Sequence, residues 1–285
     1  MIIKLFLVFL ALISSRLHAQ DHLPKVNHVY IVVDSTTFNG LKSSVELKKW
    51  VNIDRGLPGF LPVDDSSTVI YMRLKSTYLE IMGPHNKFKE SLGSIGIGFS
   101  WDTDEQGQVE KIERELKKSS ELPFSKSESN WTFDAKELVW YTAFYTKLQG
   151  DIATWYAVYN PVFLDYLYPG KHIRFTREDF LQKAYDPDKQ MVDISEIVID
   201  CNKVEFNKIT NEFKALHIKA ESIHPQSAVF MLDSVKILLN QSERKKSMIR
   251  ELKITSKKNS RPIHLLLGKT SIISGKKNEI SIKIK

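Results

Sequence analysis

The sequence of 285 residues contains a single cysteine, Cys201, so one chain cannot form an internal disulfide. Beyond the first twenty residues, no stretch approaches the eighteen or so consecutive apolar residues that a membrane-spanning helix requires. The fold must therefore be stabilised by ordinary core packing. A chain of this length suits one large or two ordinary domains.

The familiar catalytic motifs are also missing. The sequence has no Gly-x-Ser-x-Gly elbow and no His-Glu-x-x-His helix, and Cys201 has no obvious His partner, which argues against covalent catalysis. The glycines Gly93, Gly96 and Gly98 lie within a strand pattern rather than between a strand and a helix. They argue against a phosphate-binding loop and for the close approach of a ligand or a facing sheet. Three other histidines are too far apart in sequence to form a metal motif and are expected at the surface or in the core, namely His217, His224 and His264.

The net charge of +7 is distributed unevenly along the chain. Residues 241–285 hold thirteen Lys and Arg against three Glu, so the preceding part of the mature chain is mildly acidic. The basic tail contains no aromatic residue for base stacking, so no nucleic-acid partner is predicted. The Lys and Arg residues of this tail are best explained as side chains on solvent-exposed strand faces. The alternative is that the C-terminal part of the chain docks to an envelope partner through them.

The first twenty residues have the pattern of a secretory signal. Lys4 is followed by an apolar run over residues 5–13, and small and polar residues end at Ala19 and Gln20. We expect a signal peptide over residues 1–20 and an exported protein, periplasmic or extracellular, with no transmembrane segment in the mature chain. An uncleaved anchor is the less favoured alternative because the apolar run is too short to span a bilayer.

Three times the sequence passes through an apolar strand, an amphipathic helix and several further strands. This order predicts an α+β fold of repeated βαβββ modules. The predicted helices cover Thr36–Val51, Glu105–Lys118 and Lys203–Leu216. The expected domains are two paired modules over residues 21–168, a bridging segment over 169–191, and a third βαβββ-like module with basic strands over 192–285.

Strand alternation places several polar side chains on one surface. In the first strand His28 and Tyr30 alternate with apolar residues, and in the fourth strand Tyr78 and Glu80 do the same. His28 and Glu80 are therefore expected to share a concave surface. An imidazole and a carboxylate suit a divalent transition metal, and the flanking tyrosine hydroxyls would orient a substrate.

The run over residues 27–34, a helix, and then Tyr78–Ile81 before Gly83-Pro84 resembles the first half of glyoxalase and bleomycin-resistance proteins, the vicinal-oxygen-chelate superfamily. The resemblance implies a curved sheet of two paired modules, with metal bound by His28 and Glu80, and Glu80 also serving as the catalytic base. Paired modules of this kind sometimes assemble across chains, so a homodimer is a further expectation. The segments 159–164 and 176–181 resemble an uncharacterised glyoxalase-like bacterial family.

The second module departs from the superfamily pattern. Gly96 and Gly98 stand where a second His is expected, and Tyr156 or Val158 stands where a second Glu is expected. Two protein ligands bind a divalent ion weakly unless His85 or a substrate completes the shell. One divalent ion, Zn, Fe, Mn or Ni, therefore remains an open expectation.

Two functions follow from these residues. The favoured one is binding of a small molecule in an aromatic-lined concave sheet, without turnover, because the second ligand pair is missing. The alternative is a metal-dependent lyase, isomerase or dioxygenase that uses His28 and Glu80. Four strand residues are predicted to contact the ligand, namely Tyr30, Arg73, Tyr78 and Tyr156. An aromatic-rich sheet with an exposed strand arginine would also explain these residues without a ligand.

Overall fold

The computed structural model describes residues 23–102, 107–118, 122–133, 135–146, 150–170, 174–257, 263–274 and 278–284. The predicted signal peptide over residues 1–20 lies outside these ranges. Among the described residues, no helix combines the length and the apolar character needed to cross a membrane.

Eight strands form the first sheet, in the spatial order β2-β3-β4-β1-β5-β8-β7-β6. The central strands β1 and β5 run antiparallel, and each has its own fourth strand, β4 or β8, parallel on its outer side. This is the order of two βαβββ modules joined at their first strands. The strands are β1 Lys25–Val32, β2 Asn52–Asp54, β3 Val69–Arg73, β4 Tyr78–Met82, β5 Ile95–Trp101, β6 Phe124–Phe133, β7 Lys136–Thr146 and β8 Ile152–Tyr159.

The first module contains two short helices where the sequence predicted one. Helix α1 covers Ser35–Ser43, with Asp34 accepting a hydrogen bond from the Thr37 amide as N-cap. Ser44 leaves the helical conformation and its hydroxyl caps α2, which covers Val45–Trp50. A serine favours a cap over a helix interior because its hydroxyl competes for backbone groups, which explains the break.

A second eight-stranded sheet has the corresponding strand order, β10-β11-β12-β9-β13-β16-β15-β14. Strand β12 is parallel to β9 as in the first sheet, but β16 is antiparallel to β13. The expected third module is formed by β9 with β10–β12, and the remaining strands β13–β16 form a fourth four-stranded unit. Only seven residues join β13 to β14. The strands are β9 Met191–Cys201, β10 Ala220–His224, β11 Ser227–Leu232, β12 Val235–Gln241, β13 Met248–Ser256, β14 His264–Leu267, β15 Thr270–Ser274 and β16 Glu279–Ile284.

One continuous apolar core joins the two sheets. Helix α3, Gln108–Lys118, and helix α6, Lys203–Ala215, contribute to it, and Phe213 of α6 packs edge-on against Phe99 of β5 and Phe230 of β11, with ring centroids 5.6 and 4.8 Å apart. Helix α6 therefore lies between the sheets and contacts both. This placement leaves the opposite face of the first sheet free to form a site.

The predicted bridging segment covers part of that opposite face. It begins earlier than expected, with α4 at Pro161–Leu167, and continues to α5 at Arg177–Leu181, where the Thr176 hydroxyl caps the helix by accepting from the Asp179 amide. Its aromatic residues pack onto β7 and β8, with the Phe175 ring stacked 4.3 Å from the Tyr159 ring. The segment thereby builds one wall of a cavity on this face.

Replacing Phe213 by alanine should lower the free energy of unfolding by about 3–5 kcal/mol, because a fully buried ring between the sheets is lost and a cavity remains. Urea unfolding followed by circular dichroism measures the change. Val204→Ala, on the same helix but 63% exposed, is the matched control and should change stability by less than about 0.5 kcal/mol. Equal losses in both variants would contradict the central position of Phe213.

Candidate functional site

A cavity of about 430 Å³ lies on the face of the first sheet that is opposite to helices α3 and α6. Strand alternation sorts the side chains as predicted for β1 and β4: Val29 and Ile31 enter the core, whereas His28, Tyr30 and Glu80 line the cavity. Eleven of its twenty lining residues are aromatic, namely Tyr30, Tyr71, Tyr78, Phe88, Trp131, Trp140, Tyr141, Tyr145, Trp155, Tyr159 and Phe180.

His28 is buried and held rigidly. Its ring stacks on Tyr78 at a centroid distance of 4.4 Å, and its Nδ1 lies 2.8 Å from the Asn27 Oδ1. The Asn27 amide nitrogen donates to the Ser100 hydroxyl, so the amide oxygen faces the imidazole and Nδ1 must carry the proton. Nε2 is consequently a bare acceptor. Burial, with the nearby charge of Arg73, lowers the pKa of His28 to about 3, so the ring is neutral at physiological pH.

Glu80 lies beside it on β4 and is also buried. The Tyr71 hydroxyl donates to Glu80 Oε1 at 3.0 Å, and Glu80 Oε2 lies 3.7 Å from His28 Nε2. Burial raises the pKa of Glu80 to about 7, against the opposing effect of the Tyr71 hydrogen bond. Two acceptor atoms, Nε2 and Oε2, thus face each other across a gap that a hydrogen-bond donor or a proton can fill.

Arg73 lines the same cavity, but its guanidinium group already forms an ion pair with Asp54. Its Nε and one Nη donate to the two carboxylate oxygens of Asp54, at 2.7 and 3.0 Å, and both side chains are almost fully buried. The guanidinium also lies over the rings of Phe60, Tyr71 and Tyr78, at 4.5–4.9 Å from their centroids. The structure therefore places Arg73 as a wall of the cavity whose charge Asp54 balances, rather than as a free clamp for a carboxylate.

The glycines of β5 make room for aromatic side chains of the neighbouring strands. A Cβ atom on Gly96 would lie 2.3 Å from the Tyr30 ring, and one on Gly98 would lie 2.6 Å from the Trp155 indole and 3.0 Å from the His28 ring. The expected close approach at these glycines is therefore made by the protein's own rings. A second His cannot occupy either position without displacing the cavity wall.

Tyr156 does not belong to the site, contrary to the sequence prediction. It points into the core between the sheets, where its hydroxyl donates to Glu212 at 2.9 Å. Its neighbour Trp155 faces the cavity instead, because successive side chains of β8 alternate between the two faces. Val158 also lies in the core. The strand positions facing the cavity hold no second carboxylate.

Residues missed by the sequence analysis close the remaining walls. Trp140 of β7 stacks on Phe163 of α4, and Phe180 of α5 lies beside both Trp140 and Tyr159. Within the described part of the chain, the buried Nε1 of Trp140 has no hydrogen-bond partner. No sequence pattern relates these side chains to β1, because the bridging segment is brought next to the cavity only by the tertiary fold.

The donor set does not fit an ordinary metal centre. Among the described residues, no group of three or more His, Cys, Asp or Glu side chains converges on one point. His85, proposed to complete the shell, is exposed and is not among the lining residues. His28 and Glu80 alone supply two donors, whereas catalytic zinc sites have three protein ligands.

A family model described as a family of unknown function (DUF5829) matches residues 26–281, almost the entire described chain. The chain belongs to this family. No curated protein matches the chain in sequence.

One solved structure with a similar arrangement supports the fold of this DUF5829 member. A hypothetical protein from Staphylococcus aureus aligns with a TM-score of 0.55 at 12% identity, over 86% of this chain and 96% of that one. Two weaker matches are a xylose isomerase-like TIM barrel/4-hydroxyphenylpyruvate dioxygenase fusion protein (TM-score 0.46, 11% identity, 78% of this chain and 32% of that chain) and a mutant 4-hydroxymandelate synthase from Streptomyces coelicolor (0.42, 9%, 80% and 70%). The expected α+β fold class, with two paired βαβββ modules in the first sheet, is confirmed by the strand order, and identities this low carry no residue roles.

In this DUF5829 member, Asp54→Asn should lower the free energy of unfolding by about 3–5 kcal/mol, because the Arg73 guanidinium would stay buried without a counter-charge. Chemical denaturation measures the loss. Glu178→Gln removes the partner of Lys75 in an exposed ion pair and should cost less than about 1 kcal/mol. A native-like stability of Asp54→Asn would show that the buried pair does not support the cavity wall.

Proposed function

We propose that this protein is an exported, glyoxalase-like binding protein of the vicinal-oxygen-chelate kind that holds a small molecule in the cavity of its first sheet. The observation that carries the proposal is the aromatic lining of a cavity of about 430 Å³, with His28 and Glu80 as buried polar groups in its floor. Small-molecule sites typically combine this size and apolar character with a few fixed polar groups.

Rigid walls support binding without large rearrangement. The His28 ring contacts the rings of both Tyr78 and Trp155, and the Arg73–Asp54 pair lies behind Tyr71 and Tyr78. Side chains fixed in this way lose little further freedom when a ligand enters, so less of the interaction free energy is spent on ordering them. The aromatic faces favour a planar, aromatic ligand through stacking.

Binding of a small neutral aromatic probe, 2-phenylethanol, tests the proposal by isothermal titration calorimetry. We expect one site per chain, and at least a tenfold weaker affinity in Ala153→Trp, which fills the cavity from an exposed position on β8. His224→Trp, at an exposed position of β10 in the second sheet, is the matched control and should bind like the native protein. Identical affinities in all three proteins would place binding outside this cavity.

The metal-dependent alternative is tested separately, by dialysing the mature protein against Zn²⁺, Mn²⁺, Ni²⁺ or Fe²⁺ and measuring the metal retained. With two converging donors, less than one ion per chain should be retained at micromolar free metal. Stoichiometric metal that is lost in both His28→Ala and Glu80→Ala would contradict this expectation. It would favour the lyase, isomerase or dioxygenase alternative instead.

A further inference from the structure

We propose that the ligand of this cavity is a small aromatic molecule with a protonated primary amine, whose ammonium group lies between Glu80 and the Nε2 atom of His28. The inference rests on the proposed binding function and adds the chemical class of the ligand. Three independent features of the cavity support it: two converging acceptors, an unbalanced carboxylate, and a wall of aromatic rings.

The two acceptors define what the ligand must donate. The Asn27 amide fixes the proton of His28 on Nδ1, so Nε2 presents a lone pair, and Glu80 Oε2 presents another 3.7 Å away. Two acceptors at this separation leave a position from which one donor group reaches both at ordinary hydrogen-bond lengths. A primary ammonium has three N–H donors and no acceptor, so it satisfies both atoms together.

The charges around the cavity favour a cation. Among the described residues, no Lys or Arg side chain lies within ion-pair distance of Glu80, while Arg73 is balanced by Asp54. Burial raises the pKa of Glu80, and the charges of Arg73 and Lys87 oppose this rise from beyond ion-pair distance. The Lys87 side chain is exposed, and its ammonium group lies over the Phe88 ring. Glu90 adds a second acidic group that interacts with the Tyr30 hydroxyl. Glu80 is therefore a buried carboxylate that gains from a cation brought by the ligand.

The aromatic rings that line the cavity also favour a cationic ligand. Cations are attracted to the faces of Trp and Tyr rings, most strongly where water is excluded. The protein already uses this effect within the same wall, where the Arg73 guanidinium lies within 5 Å of the Phe60, Tyr71 and Tyr78 ring centroids. The aromatic part of the ligand would stack on cavity-lining rings of β6 and β7, such as Trp131 and Trp140.

The preference should depend on pH in a defined direction. Burial raises the pKa of Glu80 to about 7, in surroundings formed by the titratable or charged groups His28, Tyr30, Tyr71, Arg73, Tyr78, Lys87, Glu90 and Tyr159. An ammonium ion binds the ionised carboxylate, so below pH 7 the carboxyl must first lose a proton. Affinity for the amine should therefore rise by about tenfold per pH unit up to pH 7 and level off above it.

Calorimetry with four probes of similar shape tests the inference: 2-phenylethylamine, 2-phenylethanol, 3-phenylpropionate and the N,N,N-trimethyl derivative of the amine. We expect the primary amine to bind at least tenfold more tightly than the alcohol at pH 8, and the carboxylate to bind most weakly. Glu80→Gln should remove the preference for the amine and its pH dependence, so that the amine and the alcohol bind this variant with similar affinities. Glu178→Gln, in an exposed ion pair outside the cavity lining, is the matched control and should retain the preference.

The outcomes separate the two proposals. If the alcohol and the amine bind equally well, and Ala153→Trp weakens both, the binding function stands and the ammonium inference is overturned. If the trimethyl derivative matches the primary amine, charge alone is recognised and the role of the two acceptors is wrong. If none of the four probes binds the native protein, the proposed function fails as well. Should Glu80→Gln not fold, the relative affinities of the four probes for the native protein still decide.

Discussion

The parallel pairing of β1 with β4 is the constraint on which the site depends. Its register sets His28 opposite Tyr78 and Tyr30 opposite Glu80, so all four side chains project from the same face. A shift of one residue in either strand would turn its cavity side chains into the core and bring apolar residues to the cavity. The core contacts of Val29, Ile31, Leu79 and Ile81 therefore fix the geometry of the polar pair on the other side.

Buried charges in this cavity fall into two classes with different consequences. Arg73 and Asp54 satisfy each other through two hydrogen bonds, which leaves little charge for a ligand to recognise. Glu80 receives one hydrogen bond from Tyr71 and no salt bridge from a described Lys or Arg, so its ionised form remains costly. A ligand can gain most binding free energy from a buried charged group that no protein partner balances. Glu80 is such a group and is the proposed binding residue, whereas Arg73 and Asp54 support the cavity wall.

The sequence predicted the site best where polar and apolar residues alternate cleanly. In β1 and β4 one face is aliphatic, so the cavity residues could be assigned before the structure was known. Strand β8 reads Thr154-Trp155-Tyr156-Ala157-Val158-Tyr159, with aromatic residues on both faces, and periodicity alone could not tell Trp155 from Tyr156. The Asp54 partner of Arg73 and the wall from the bridging segment depend on tertiary contacts, which no local pattern encodes.

Among the described residues, the aromatic-lined cavity lies on the first sheet, although both sheets share one strand order. On β9, the residues that alternate with the core positions Ile197 and Ile199 include Glu196 and Asp200. Two of their partners come from the basic tail, since Lys253 lies 2.9 Å from Glu196 and Arg250 lies 3.3 Å from Asp200, while Lys236 of β12 lies 3.5 Å from Glu196. Charges that are segregated along the chain are thus paired in space across β9 and β13. Part of the tail's basic charge is therefore used within the second sheet, on a face built of ion pairs rather than of aromatic rings, which favours a supporting role for that sheet over a second binding surface.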